Sequence, residues 1–433
     1  MQPVGEFTRI PLAADIDLHL HRIALYKTVR VDICISEELR PQRNSRLALI
    51  SRLLERGTRD LPDLQSLNRF IDDLYGAHYY AEVDRLGDYQ FIHLCLEVID
   101  EKFLERTGGD VLARGVGFLH DILLAPAGDS SGFHREYLEQ EKLILTQHIA
   151  DRVNDKMAYA QQRCVEEMCR GESIALSPLG DPEDFGAIDG DELLQFHRSL
   201  LAGNRIDLFL SGDVDQERAL SLAGDLITWD RDRRPVEDRL SNHAQPGEGR
   251  EIFEYQDVHQ AKLVLGYRTR VLYGTEDYPV LILLNMILGG EGQSRLFKCL
   301  REEGGLCYYV GSHIEALSGL LFIVAGIGPK SYYQTRASVE QQLEELRQGY
   351  FIAGEIESAR RLLQAHLLSL GEDREAYFRY QFRTGLVGGS QSPLELWRSI
   401  ERVGVEDLTR VIGGLVADTA YMLHGGMQAR IAL

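Results

Sequence analysis

The sequence predicts an α+β fold made of two homologous, α/β sandwich-like halves, each a mixed β-sheet flanked by helices. Segments in which apolar and polar residues alternate, as in strands with one buried face, are interspersed with longer segments of helical periodicity. The same order of strands and helices occurs once before and once after a charged, proline-containing segment. We therefore predict an N-terminal domain over residues 1–228, a linker over 229–250 and a C-terminal domain over 251–433.

In the first half, alternation predicts the strands and apolar spacing predicts the helices. Two alternating runs flank the turn Leu86-Gly87-Asp88, which is typical of a hairpin. The Gly-, Pro- and Asp-rich stretch Ser173–Asp191 predicts a loop. The predicted strands are Ile16–Ile23, Val29–Ile35, His78–Arg85, Tyr89–Val98 and Asn204–Gly212. The predicted helices are Pro41–Thr58, Leu64–Leu74, Glu101–Leu124, Phe133–Arg170 as one helix or two, and Glu192–Leu201.

The second half repeats this plan at the level of pattern, although few residues are identical between the halves. Its predicted strands are Lys262–Arg268, Tyr308–Glu315, Leu320–Gly326 and Thr419–His424. Its predicted helices are Tyr278–Leu288, Arg295–Glu302, Ser331–Arg347, Gly354–Leu370 and Gly404–Val416.

Composition excludes several classes of protein. The chain has 433 residues and a formal net charge of −20, so a nucleic-acid backbone or an anionic membrane is disfavoured as a main partner. No apolar run is long enough for a transmembrane helix, and the N-terminus does not resemble a secretory signal. The six cysteines form no C-x-x-C pair, which predicts small buried thiols in a reduced, cytoplasmic protein.

The segment Pro41–Thr58 carries the first chemical signal. Its leucines and isoleucine follow helical spacing, and Gly57 stands where a left-handed residue would end the helix. In context this segment resembles the active-site helix of the pitrilysin/insulinase family of zinc peptidases. That family carries an inverted H-x-x-E-H zinc motif shortly before a Gly-Thr.

Aligning Gly57-Thr58 with the family's Gly-Thr puts Ala48, Ser51 and Arg52 at the three motif positions. None of these side chains serves as a zinc ligand or a carboxylate base at neutral pH. The resemblance therefore implies the fold of a zinc peptidase and a degenerate zinc site, with no metal and no cofactor.

In the family a third zinc ligand, a glutamate, lies further along the chain in a helix. The stretch Glu141–His148 matches that helix and puts His148 at the ligand position. A lone histidine beside the cation Arg52 does not make up the three or four ligands that zinc requires. We interpret His148 as a polar residue on a helix face, and Glu55 and Glu141 as surface helix residues.

The segment Leu288–Val310 carries the second signal. It has a glycine-rich turn, the sequence Ser294-Arg295-Leu296-Phe297, and then Arg301 and Tyr308 seven residues apart. The whole run resembles a segment that, in the family, hydrogen-bonds the substrate backbone and the tetrahedral intermediate. The resemblance therefore implies that Arg301 and Tyr308 contact substrate; the structural alternative is a helix-terminal cation and a strand-face aromatic residue.

The resemblance implies a non-catalytic subunit that pairs with a zinc-bearing homologue and holds a peptide or an unfolded polypeptide. Two other interpretations stay open at this point. One is a peptide-binding scaffold, a homodimer in isolation, with no peptidase role. The other is a self-sufficient metallopeptidase whose site is rearranged.

Overall fold

The computed structural model describes residues 6–105, 109–129, 132–231 and 249–425. They fall into two compact units. The first comprises Met1–Ala150 and Leu176–Glu237, and the second comprises Asp151–Ala175 and Asp238–Leu433. The predicted domain over 1–228 is therefore corrected at one place, because Asp151–Ala175 packs with the second unit. Residues 232–248 of the predicted linker lie outside the described residues.

The first unit contains a mixed six-stranded sheet with the strand order β1-β2-β8-β3-β5-β4. Only β2 and β8 pair in parallel; the other pairs are antiparallel. A separate short pair, β6 and β7, lies outside this sheet. The strands are β1 (Thr8–Ala13), β2 (Ile16–Arg22), β3 (Thr28–Glu38), β4 (His78–Leu86), β5 (Tyr89–Ile99), β6 (Gly128–Asp129), β7 (Gly132–Phe133) and β8 (Arg205–Gly212).

Helices of the first unit cover the apolar face of this sheet. The inward residues of β2, β3, β5 and β8 form one core with helices α1, α3, α7 and α8. The helices in chain order are α1 (Arg43–Leu54), α2 (Leu64–Asp73), α3 (Val111–Leu124), α4 (Arg135–Asp151), α5 (Lys156–Met168), α6 (Pro182–Phe185), α7 (Gly190–Gly203) and α8 (Gln216–Leu226). Of these, α5 belongs to the second unit.

The opposite face of the same sheet differs from the prediction. Alternation along Ile16–Ile23 and Val29–Ile35 predicts strands with one buried face, yet both faces of β2 and β3 are buried. Asp32, His93 and Asp207 on the polar face are at most 1% exposed. Alternation is set by which side chains are apolar, whereas burial is set by what packs on each face.

The second unit repeats the topology of the first. Its five-stranded sheet has the order β11-β12-β10-β13-β9, again with a single parallel pair, β13 with β9. Reading β4-β5-β3-β8-β2 in the first sheet gives the same sequence of connections. The strands are β9 (Arg250–Tyr255), β10 (Ala261–Arg268), β11 (Cys307–Glu315), β12 (Leu320–Ile327) and β13 (Val416–His424). The predicted repeat of two α+β halves, mixed sheets flanked by helices, is confirmed.

Helix α5 packs on β10 and β13 of this sheet. The break before α5 has a local cause, since Asp155 caps its N-terminus by accepting from the N–H groups of Met157 and Ala158 at 3.1 and 3.0 Å. The stretch Phe133–Arg170 is therefore two helices, α4 and α5. The remaining helices are α9 (Tyr278–Asn285), α10 (Tyr332–Arg347), α11 (Glu355–Ser369), α12 (Arg374–Leu386), α13 (Pro393–Glu401) and α14 (Val405–Gly413).

The structure differs from the predicted strands and helices in two respects. The predictions omit the strands β1, β6, β7 and β9 and the helices α6, α8, α12 and α13. In addition, the predicted helices Tyr278–Leu288 and Arg295–Glu302 contain π-helical segments, Met286–Gly290 and Phe297–Glu303. In the described part of the chain, no helix is both long and apolar enough to cross a membrane.

Candidate functional site

Helix α1 carries the three positions of the replaced zinc motif. Ala48 and Ser51 are fully buried, and the Ser51 hydroxyl donates to the Ala48 carbonyl at 2.8 Å. The helix ends at Leu54, three residues before Gly57. Gly57 adopts φ +118°, and a Cβ there would lie 2.2 Å from the Leu61 carbonyl oxygen, so the turn after α1 requires glycine. Neither Ala48 nor Ser51 therefore has a side-chain atom that is free to bind a metal.

At the third position, Arg52 binds two carboxylates. Its Nε donates to Glu141 at 3.0 Å and its Nη1 donates to Glu55 at 3.0 Å. Arg56, two residues after the end of α1, donates through Nε to the other oxygen of Glu141 at 2.6 Å. The Glu141 side chain is only 1% exposed. A cluster of two arginines and two glutamates thus occupies the region of the motif, and its charges balance.

This geometry corrects the interpretation of both glutamates. Glu141 is a buried ion-pair partner rather than a surface residue, because α4 lies beside α1. Glu55 is half-buried; its other oxygen accepts from the Ala81 N–H of β4 at 3.2 Å, and burial raises the pKa of its carboxyl. His148 lies exposed on α4, seven residues after Glu141, as expected of a polar residue on a helix face. Its alignment with the third-ligand position is wrong, because the α4 side chain that reaches Arg52 is that of Glu141.

Arg301 and Tyr308 lie in the second unit. Arg301 is in the π-helical segment Phe297–Glu303, with its guanidinium 4.9 Å from the centre of the Phe297 ring. Tyr308 is in β11, an edge strand, and is 73% exposed. Within the described residues, neither side chain has a carboxylate or hydrogen-bond partner. π-Helical turns are uncommon and are frequent at functional sites.

The elements that carry this pair are held firmly. Arg295, only 1% exposed, donates from Nε and Nη2 to the two oxygens of Glu355 at 3.0 and 2.6 Å and from Nη2 to the Tyr350 carbonyl at 2.6 Å. A Cβ at Gly289 would lie 2.7 Å from the backbone nitrogen of Ser312, so β11 approaches the glycine-rich turn closely. The Ser-Arg-Leu-Phe run therefore has a structural role, while Arg301 and Tyr308 remain available to a ligand.

A buried polar cluster on the first sheet was missed by sequence reasoning. Asp17, His19 and Asp207 place their donor atoms within 4.8 Å of one another, the one such metal-type group among the described residues. Arg205 donates to both oxygens of Asp207 at 2.6 and 2.7 Å, and Arg9 donates to Asp17 at 2.7 Å. Contacts with His19 and Arg205 hold the pKa of Asp207 at about 2, despite burial. These arginines take the oxygens that a cation would need, so the cluster is an ion-pair network.

Comparison with known proteins agrees with this geometry. Residues 187–363 match the family described as "Peptidase M16 inactive domain". The chain is 30% identical over 412 residues to the "Probable inactive metalloprotease YmfF" of Bacillus subtilis, covering 94% of this chain and 95% of the relative. The chain belongs to the M16 peptidase family.

Two further matches describe its place in that family. The "Uncharacterized zinc protease YmxG" of Bacillus subtilis is 24% identical over 82% of this chain and 86% of the relative. A crystal structure of a conserved protein from Enterococcus faecalis superposes with a TM-score of 0.86 at 24% identity, covering 98% of this chain and 100% of that one. The latter shows that the fold is shared.

The replaced motif and the relatives together define this M16 protein as a non-catalytic homologue of zinc metallopeptidases. Ala48, Ser51 and Arg52 do not fit zinc: one has no donor, one bonds its own helix, and one is a cation engaged by two carboxylates.

Proposed function

We propose that the chain is the substrate-holding subunit of a two-chain peptidase whose other subunit is a zinc-bearing M16 homologue. In this arrangement the partner supplies the metal and the base, and this chain supplies Arg301 and Tyr308. The substrate is a peptide or an unfolded polypeptide. Nucleic acid and membrane are not among its partners, and the isolated chain is a homodimer.

The observation that carries the proposal is the state of Arg301 and Tyr308. Both are exposed, and in the described chain neither is bound to an acidic side chain, although the protein carries a net charge of −20. Their supports are rigid: a π-helical segment and a strand packed against a glycine-rich turn. A guanidinium and a phenol can both donate to the oxyanion that develops when an amide carbonyl is attacked.

The relatives support the pairing indirectly. A protein named as a probable inactive metalloprotease and one named as a zinc protease both come from Bacillus subtilis, so both kinds of chain occur in one organism. The six cysteines are free thiols, and five of them are buried. This supports our placement of the chain in a reducing compartment, the cytoplasm.

The test reconstitutes the chain with the zinc-bearing M16 homologue of its own organism and measures cleavage of an unfolded protein or a fluorogenic peptide. Arg301→Ala and Tyr308→Phe should leave folding and complex formation unchanged, which analytical ultracentrifugation and circular dichroism can check. Each should lower kcat/KM about 100-fold if its donor acts on the oxyanion. Matched controls are Arg398→Ala and Tyr333→Phe, which change exposed residues of the same types.

Full activity of both variants at equal occupancy of the complex would make Arg301 and Tyr308 structural residues and overturn the proposal. Failure of the two chains to associate would also overturn it. In that case, peptide binding by a stable homodimer would establish the scaffold interpretation instead. Activity of the isolated chain would indicate a rearranged metallopeptidase.

A further inference from the structure

Tyr308 lies at a β-bulge in β11. Cys307 is opposite Ile327 of β12, and the next pair along joins Tyr309 to Gly326, so Tyr308 is an extra residue between the two pairs. In a regular strand the residue before Tyr309 would lie opposite Ile327, on the other face of the sheet from Tyr309. Cys307 takes that place and is 8% exposed, whereas Tyr308 is 73% exposed. The bulge therefore directs Tyr308 out of the sheet.

The ring of Tyr309 lies directly over Gly326. A Cβ at Gly326 would be 2.8 Å from Cζ of Tyr309, well below the roughly 3.5–4.0 Å of a favourable carbon–carbon contact. On the far side of β12, Lys262 of β10 pairs with Gly326 and places its Nζ 5.3 Å from the centre of the Tyr309 ring. The Gln260 side chain accepts from Lys262 at 2.8 Å and also lies over Gly326. The ring thus crosses β12 in a space that exists only because residue 326 is a glycine.

Packing, rather than the hydroxyl, holds the Tyr309 ring in this place. Its Oη is buried and has no hydrogen-bond partner in the part of the chain that the structure describes. Burial raises the pKa of the Tyr309 phenol to about 12, so the phenol stays neutral at physiological pH. A buried hydroxyl without a partner gains no hydrogen-bond energy on folding. Phenylalanine should therefore replace Tyr309 without loss of the contact with Gly326.

The bulge is also joined to the π-helical segment that carries Arg301. The Leu306 N–H, just before β11, donates to the Leu300 carbonyl of that segment at 2.8 Å. Burial raises the pKa of the Cys307 thiol and the positive charge of Arg301 opposes this shift, so the guanidinium lies near the start of β11. A change in the bulge would therefore move Tyr308 relative to Arg301.

We propose that Tyr309 is a positioning residue whose ring, lying over Gly326, maintains the bulge that directs Tyr308 toward substrate. Tyr309 itself contacts no substrate and transfers no proton. The assignment rests on the proposed function, because Tyr308 acts on a substrate only if this chain holds one.

The first experiment measures cleavage by the pair reconstituted with the zinc-bearing homologue. Gly326→Ala and Tyr309→Ala should each lower kcat about 10-fold or more with little change in KM, since a misplacement of about 1 Å can cost as much as 100-fold. Tyr309→Phe should keep wild-type kinetics. In a Tyr308→Phe background, Gly326→Ala should cause no further loss. The matched control is Gly413→Ala, because a Cβ at Gly413 meets nothing within 4 Å among the described residues.

The second experiment measures the orientation of Tyr308 without any cleavage. Nitration by tetranitromethane, followed by peptide mass spectrometry, reports how exposed each tyrosine is in the isolated chain. Tyr308 should be nitrated equally in the wild type and in Tyr309→Phe. In Gly326→Ala and Tyr309→Ala this nitration should fall relative to that of Tyr333, which is 58% exposed. The reason is that a slip to regular pairing would put Tyr308 opposite Ile327, on the buried face.

Unchanged nitration of Tyr308 in variants that circular dichroism shows to be folded overturns the proposal. A further loss of activity on adding Gly326→Ala to Tyr308→Phe also overturns it, because the effect would then not pass through Tyr308. If Gly326→Ala does not fold, Tyr309→Ala gives the same two readouts. Full activity of Tyr308→Phe would instead overturn the proposed function, and the nitration result would still decide whether Tyr309 positions Tyr308.

Discussion

Glu141→Ala should strongly destabilise the first unit, because it leaves Arg52 and Arg56 without the carboxylate that they share. The substitution deletes a carboxylate that is 1% exposed. Arg52 keeps Glu55 as a partner and is 38% exposed, so it can reach water. Arg56 is 15% exposed and has no other carboxylate partner within the described residues.

The expected cost follows from these exposures. Removing one member of a buried ion pair costs about 3–5 kcal/mol, because the other charge is left uncompensated. Since Arg56 keeps some access to water, we expect the lower end, about 3 kcal/mol. The matched control is Glu139→Ala on the same helix. Glu139 is 59% exposed and pairs only with Lys142, so its loss should cost no more than about 0.5 kcal/mol.

Urea unfolding of the first unit measures these differences. The chain has two tryptophans, and in a Trp397→Phe background Trp229 reports alone. The indole Nε1 of Trp229 donates to the Leu201 carbonyl at 2.9 Å, so the fluorescence of Trp229 reports unfolding of the first unit. The double variant Arg56→Met/Glu141→Leu should lose less free energy of unfolding than the two single variants lose together, by more than about 1 kcal/mol.

The reasoning is refuted if Glu141→Ala loses no more stability than Glu139→Ala. It is also refuted if the single substitutions at Arg56 and Glu141 are additive within about 0.5 kcal/mol. Either result would mean that solvent, rather than the arginines, compensates the Glu141 charge, and that Glu141 is accessible in solution.

Two further predictions concern metal and pH. With Ala48, Ser51 and Arg52 at the motif positions, the purified chain should retain no stoichiometric zinc after dialysis, and about one zinc per chain by elemental analysis would contradict this. His197, buried with its Nε2–H donating to Leu123 at 2.7 Å, has a pKa lowered by burial to about 4. In the unfolded chain His197 binds a proton near pH 6.5, whereas in the folded chain it stays neutral down to about pH 4. The free energy of unfolding should therefore fall by about 1.4 kcal/mol for each unit by which the pH is lowered from 6.5 to 4. His197→Gln should flatten that slope in urea unfolding at stepped pH, and an unchanged slope would refute the assignment.

Local patterns were sufficient for much of this fold. The β4–β5 hairpin, helix α1, the strands around it and the repeat of the whole plan follow from periodicity and turn residues, which act over a few positions along the chain. The sequence also predicts the loss of zinc chemistry, since zinc binding depends only on which side chains occupy three positions of one helix. Gly57 has the positive φ expected of a glycine after α1, although the helix ends three residues before it.

Tertiary packing decided which partner each side chain has. Arg52 and Glu141 are 89 residues apart, and they meet only because α4 lies beside α1. The pattern of apolar residues along α4 does not predict that Glu141 is buried. The same holds for the ion pairs on the polar face of the first sheet and for α5, whose apolar side fits the sheet of the second unit. Burial and pairing depend on the surfaces that meet in space, and alternation along the chain does not specify them.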